Sequence, residues 1–244
     1  MRLQLMTWPE VEAHLTRSTA AIVPIGSTEQ HGPTGLIGTD ALCADAVAIG
    51  VGDVCSAVVA PPLAIGMAVH HLGFPGTLSF RPSTLIAVVH DVVDTLVSQG
   101  FTRIFFVNGH GGNGPTLRAA FMEVHDGARS KPDRDIRLDA VNWWQGPRVR
   151  DLCRTLYGDR EGAHATPSEL AVTWALHPGR MNRTVLDPRV APTRRFQGPD
   201  DYRRSHPDGR MGSDPSLATA EDGARLLDLA IADVADAFRR FAEL

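Results

Sequence analysis

Lysine is almost missing from this chain. Lys131 is the only one in 244 residues, and arginine supplies the rest of the 24 basic side chains. These are outnumbered by 28 acidic residues, the formal net charge is −4 and the pI is about 6.2. A nucleic-acid-binding or anionic-membrane surface needs a basic excess, so neither partner is expected. Cysteine is also scarce: Cys43, Cys55 and Cys153 are odd in number, widely spaced and without a Cys-x-x-Cys pair, which excludes a disulfide framework and a thiolate zinc site. No long apolar run exists. The most apolar stretch, Ala57 to Val69, is interrupted by Pro61, Pro62 and Gly66, and the opening residues Met1 to Pro9 lack the apolar core of a signal peptide. A soluble, unprocessed protein of a reducing cytoplasm is expected, with no repeats and no low-complexity tract.

What is present is a hydrophobic fraction of 43%, ample for one core, so residues 1–244 read as a single domain. Apolar β-type runs alternate with amphipathic helical ones, which predicts an α/β fold with a mostly parallel sheet between layers of helices. Strands are expected at Ala20 to Ile25, Ser56 to Ala60, Arg103 to Val107 and Ile136 to Asn142. Leu85, Val88, Val89, Val92, Val93 and Leu96 give Pro82 to Ser98 one apolar helical face, with Gly100 as its stop. A last helix is predicted over Ala218 to Phe241, carrying Leu227, Ile231, Val234, Phe238 and Phe241 inward. The segment Asp187 to Pro215, rich in Arg, Pro, Asp and Gly, reads as a long ordered loop or a subunit contact.

The chemistry concentrates after the strands. Glu29-Gln30-His31-Gly32-Pro33 follows the first strand, and Asp40 stands nine residues beyond His31. Residues two apart in an extended segment point to one side, so Glu29 and His31 can converge, and an Asp opening the next helix can swing toward them. Carboxylate oxygens mixed with imidazole suit Zn²⁺, Mn²⁺ or Fe²⁺, although a polar surface loop with a capping Asp would carry the same residues. Open α/β sheets build sites at this end of their strands. His110 sits at the end of a second strand, in Asn108-Gly109-His110-Gly111-Gly112-Asn113-Gly114. Gly109, Gly111 and Gly114 also match the glycine pattern of a dinucleotide site, which makes a nucleotide-dependent oxidoreductase the rival reading. That rival leaves Glu29, His31 and Asp40 unexplained, and the strand acid it needs about 20 residues on is poorly met by Asp139. His164 and Glu169 flank a helix start at Pro167-Ser168, where a Glu alone would be an ordinary dipole partner.

Four segments together resemble the creatininase (creatinine amidohydrolase) family: Glu29 to Pro33 with Gly38-Thr39-Asp40; His71-Leu72-Gly73-Phe74-Pro75-Gly76-Thr77; Val107 to Asn113; and His164 five residues before Glu169. They follow the family's order and spacing across nearly the whole chain. The resemblance implies a three-layer α/β/α fold, two divalent metal ions (Zn, Mn or Fe), a metal-bridging hydroxide as nucleophile, and often a homohexamer. It implies that Glu29, His31, Asp40 and His110 are metal ligands, Asp40 bridging. Creatininase proper has Tyr and a ligating Glu where this chain has Gly111 and Gly112, so Glu169 is expected to supply the missing carboxylate.

The expected reaction is hydrolysis of a C–N bond in a small amide, cyclic amide or formamide, a metal-binding but catalytically silent protein being the other alternative. His164 is the candidate for protonating the leaving nitrogen, because an imidazole ordinarily titrates near neutrality, and His71 for holding the substrate oxygen or completing the outer shell. Gly111 and Trp144 are candidate pocket residues, with a core role open for both Trp143 and Trp144. Gly111, Gly112 and Ala163 remove three side chains that shape the creatininase pocket. Creatinine should therefore be turned over more slowly than the best of a panel of other amides, measured as kcat/KM; comparable values would refute this.

Overall fold

The computed structural model describes residues 1–128 and 135–243. Its centre is a four-stranded, all-parallel sheet in the order β2-β1-β3-β4, built from β1 (Ala20–Ile25), β2 (Val58–Val59), β3 (Arg103–Asn108) and β4 (Arg137–Asn142). Alternate residues of β1 serve opposite faces: Ala20 and Ile22 join one hydrophobic cluster, and Ala21, Val23 and Ile25 the other. Both faces are covered, which is why this strand reads as an unbroken apolar run. The fold class expected from the sequence is the one found. The second strand is shorter than its apolar run suggested, since only Val58 and Val59 pair.

One face is covered by α2 (Thr39–Cys55), α5 (Pro147–Leu156), α6 (Pro167–Leu176) and α8 (Ala220–Ala242), which supply most of the larger cluster. The other carries α1 (Trp8–Leu15), α3 (Pro82–Ser98) and α4 (Asn113–Ala128). α3 has the predicted bounds, opens on Pro82 and buries Leu85, Val89, Val93, Leu96 and Val97 at helical spacing. α8 buries Leu226, Ala230, Val234, Phe238 and Phe241; Leu227 and Ile231 of the expected stripe pack at its margin. The buried Asp233 of α8 caps α5, accepting from the N–H groups of Arg148 (3.0 Å) and Val149 (3.2 Å). No helix among the described residues is long and apolar enough to cross a membrane.

The segment 187–215 differs from the expected loop. It contains α7 (Gly198–Ser205), which packs on the 3₁₀ turn Val69–His71. Local composition hides this helix: Gly198 and Pro199 open it, and its anchor, the fully buried Tyr202, makes tertiary contacts. Arg210, also fully buried, ties the rest of the segment down, donating to Asp208, Pro188 O (2.6 Å) and Arg189 O (2.8 Å).

α6 and α8 cross at Gly223, where a Cβ would lie 1.8 Å from Ala171 O. Neither backbone can yield without separating the helices. Gly223→Ala should therefore lower unfolding free energy by roughly 1–3 kcal/mol in urea denaturation, with the m-value unchanged. An unaltered midpoint would show that the crossing is looser than this contact requires.

Candidate metal centre

Two strand ends and a helix start meet at one point. The chain leaves β1 through Gly26, whose position a Cβ would share with Ala41 N at 2.4 Å, and turns back when Glu29 N–H bonds to Ile37 O (2.8 Å). That closure sets Asp40, in the first turn of α2, beside the Glu29-His31 segment. Asp40 is not a cap: Gly38 occupies the N-cap, without a side-chain bond. β3 brings in His110 through Gly109, whose Cα passes so close to α2 that a Cβ would meet Asp40 O at 2.1 Å. Asn113 locks this loop, donating to Gly26 O (2.9 Å) and accepting from Met67 N–H (3.0 Å).

Glu29, His31, Asp40 and His110 are all buried. His31 Nε2 lies 3.0 Å from Asp40 Oδ1, and His110 Nδ1 lies 3.1 Å from Asp40 Oδ2 and 3.3 Å from Glu29 Oε1. The ligand atoms form two triads, Glu29-Asp40-His110 and His31-Asp40-Glu169, each within 4.8 Å. Asp40 belongs to both. A third triad joins Glu29 and His31 to His164.

Two observations fit this donor set to divalent cations. Oε2 of Glu29 is buried without a hydrogen-bond donor, and Glu29 Oε1 and Asp40 Oδ2 are approached by imidazole nitrogens at 3.1–3.7 Å, a concentration of buried negative charge that a cation relieves. Each histidine is also anchored from behind: His31 Nδ1 faces Glu29 O (3.1 Å), His110 Nε2 faces Met67 O (3.0 Å), and His164 Nε2 faces Gln30 O (2.8 Å). Donating the remote N–H to a carbonyl leaves the other nitrogen bare and aimed inward, as metal-binding histidines are held.

The electrostatics follow from this crowding. Burial pushes the Glu29 carboxyl up to about 7, opposed by the His110 ring and reinforced by Asp40. Burial works against protonation of His31 and His110, yet the adjacent carboxylates override it and raise them to about 10 and about 9. Asp40, although buried, is held well below the usual carboxylate range by His31 and His110. These protons compensate the same negative charge that divalent ions would, so metal binding must release them. His71 and His164 are displaced the other way. Burial and neighbouring imidazoles lower both, leaving neutral rings.

Glu169 reconciles its two sequence readings. Its Oε2 accepts from Thr166 N–H (2.9 Å) and Thr166 Oγ1 (2.8 Å) in a capping box, while its carboxylate remains in the triad with His31 and Asp40. Glu161 is engaged elsewhere, by the Ser168 hydroxyl. His71 lies behind Glu29, its Nε2 3.2 Å from Oε1. Gly111 borders a groove of about 730 Å³ between α4, β4 and α8. Trp144 is partly buried and packs against the core, edge-on to Trp143, the core role left open for it. Sequence reasoning assigned no role to His70, which stacks on Phe196 and lies tilted against His71, or to Tyr202, which meets His71 edge-on at 4.8 Å. The doubled histidine at 70–71 was a usable signal for the first. Nothing local announced the second.

Comparison with known proteins agrees with this geometry. The family model for creatininase, described as creatinine amidohydrolase, matches residues 4–238. The chain is 45% identical over 105 residues to the mycofactocin precursor peptide peptidase of Mycolicibacterium smegmatis, a match covering 41% of this chain and 42% of that protein. It is 26% identical to the creatinine amidohydrolase of Pseudomonas putida over 96% of this chain and 94% of the other. Among solved structures, manganese creatininase superposes with a TM-score of 0.88 at 25% identity, covering 99% of this chain and 98% of that one. A creatininase mutant of the zinc–zinc type matches equally, at 0.88 and 25% over the same shares.

Asp40→Ala should abolish binding of both ions, measured as zinc per chain after reconstitution, while the metal-free variant melts no lower than the parent, because a buried carboxylate without a cation destabilises the fold. Glu169→Gln should lose about one ion and Glu161→Gln neither. Two zinc ions retained by Asp40→Ala, or loss on Glu161→Gln, would contradict the ligand assignment.

Proposed function

The chain belongs to the creatininase family of hydrolases, and on that premise we propose that it is a two-metal amidohydrolase that cleaves the C–N bond of a small amide, cyclic amide or formamide. The observation that carries this reading is the pair of triads sharing Asp40. Two divalent ions, when bound there, supply an activated water and polarise the amide carbonyl. Glu29 and His110 would hold one, His31 and Glu169 the other, with Asp40 between.

The protein's own part is proton handling and placement. An amide nitrogen leaves only if protonated, and the water's proton must go somewhere first. We assign both duties to His164. Its Nε2 is committed to Gln30 O at 2.8 Å, so Nδ1 carries the lone pair, and that atom faces Glu29 Oε1 at 3.7 Å. A neutral imidazole can accept the water's proton at Nδ1 and deliver it to the leaving nitrogen. His71, behind Glu29, acts as an outer partner that orients a ligand. Peptide amides are a second reading. It is favoured by the similarity to a mycofactocin precursor peptide peptidase.

His164→Ala should keep both zinc ions, since five other residues supply ligands, while kcat falls about 10²–10⁴-fold. The deficit should be smallest for substrates with good leaving groups. Metal content measured beside rates on a leaving-group series decides the matter: an equal deficit across the series, or a lost ion, would remove His164 from the proton-transfer role.

A further inference from the structure

Gln30 stands between two metal ligands in sequence, yet its side chain points away from them into a buried junction. The carboxamide's orientation is fixed by its surroundings. Oε1 accepts from Gly32 N–H (2.8 Å) and Nε2 donates to Gly209 O (2.9 Å); turning the amide over would set N–H against N–H and oxygen against oxygen. Gly209 admits this approach only as glycine, because a Cβ there would sit 1.9 Å from Oε1 and its φ is +85°.

Nε2 has one hydrogen left and two ring nitrogens within reach, His71 Nδ1 at 2.8 Å and His164 Nε2 at 2.9 Å. His164 Nε2 also lies 2.8 Å from the main-chain oxygen of Gln30, an acceptor that requires a proton from it. A nitrogen bearing that proton has no lone pair to offer the amide. The remaining hydrogen of Gln30 therefore goes to His71 Nδ1, which must be bare. A neutral His71 then carries its proton on Nε2, 3.2 Å from Glu29 Oε1. Every acceptor at the junction is then matched by a proton; the 2.9 Å approach of His164 Nε2 to Gln30 Nε2 carries none, each nitrogen directing its N–H to another acceptor.

We propose that Gln30 is a positioning residue: its side chain fixes the proton of His71 on Nε2, against the carboxylate of Glu29, while its main-chain oxygen fixes that of His164 on Nε2 and leaves Nδ1 bare toward the centre. The catalytic consequence rests on the functional reading above; the proton placement does not. A pocket that must keep one imidazole as proton donor to a carboxylate and another as proton acceptor needs a group with fixed donor and acceptor ends, and an amide has them. A carboxylate of the same shape would not.

The test is nitrogen NMR of the zinc-loaded full chain labelled with ¹⁵N-histidine, the two rings being assigned from His71→Gln and His164→Gln proteins. In the unmodified protein, both rings should carry their proton on Nε2. In Gln30→Glu, which accepts where Gln30 donates, the His71 proton should move to Nδ1 while that of His164 stays, because its partner is backbone. On the best amide of the substrate panel, kcat should fall about 10–100-fold with KM nearly unchanged. Gln30→Met, which removes the donor without adding charge, should leave His71 divided between both tautomers and covers the case in which the glutamate variant fails to fold. A proton on His71 Nδ1 in the unmodified protein overturns the proposal, as does an unmoved His71 proton in either folded variant. Zinc content and turnover of the unmodified sample test the functional reading separately, so a two-zinc, active protein with a protonated His71 Nδ1 would refute this inference alone.

Discussion

Glu29 and Asp40 are buried carboxylates whose described ion-pair partners are all histidines. Removing two such charges from water costs several kcal/mol each unless opposite charge is brought to them. Imidazolium supplies that charge only by holding protons, and Glu29 Oε2 still has no hydrogen-bond donor. Divalent cations meet the requirement more completely, since one bridging carboxylate can serve two of them. Much of the surrounding structure follows from keeping this arrangement in place.

The constraint is met by backbone rather than by bulk. Gly26 and Gly109 let the turns after β1 and β3 press against the start of α2, so that Glu29, His110 and Asp40 arrive from three elements at one point. Carbonyl oxygens of Glu29, Met67 and Gln30 orient the three imidazoles from behind. Segment 187–215 completes the enclosure: Gly209 O receives both Gln30 and the Tyr202 hydroxyl, and Arg210 packs against the glycine at position 32. The parallel sheet positions these parts, while the centre's chemistry resides in the loops at its strand ends.

Legibility from sequence tracked how local each determinant was. β1, α3 and β3 were readable because an unbroken apolar run or helical spacing agreed with flanking Pro or Gly at those segments. Glu29, His31 and Asp40 were readable because one short stretch of chain carries all three. Glu169 was reached through the family's spacing, since a glutamate at a helix start has an adequate local explanation and indeed serves as a cap. α7 and Tyr202 were not foreseen: their stability comes from packing on residues 69–71, more than a hundred positions away. Gln30 was visible and given no role, because its function depends on Gly209 and His164, which only the folded chain brings near. Trp144 contacts the core while remaining partly exposed, one of the two roles its place after a strand left open.

The account rests on two ions sharing Asp40, and anomalous diffraction from a zinc-loaded crystal addresses it directly. Two zinc peaks should flank the Asp40 carboxylate, one contacted by Glu29 and His110 and the other by His31 and Glu169. A single peak, or two peaks with Glu169 turned away from both, would contradict it.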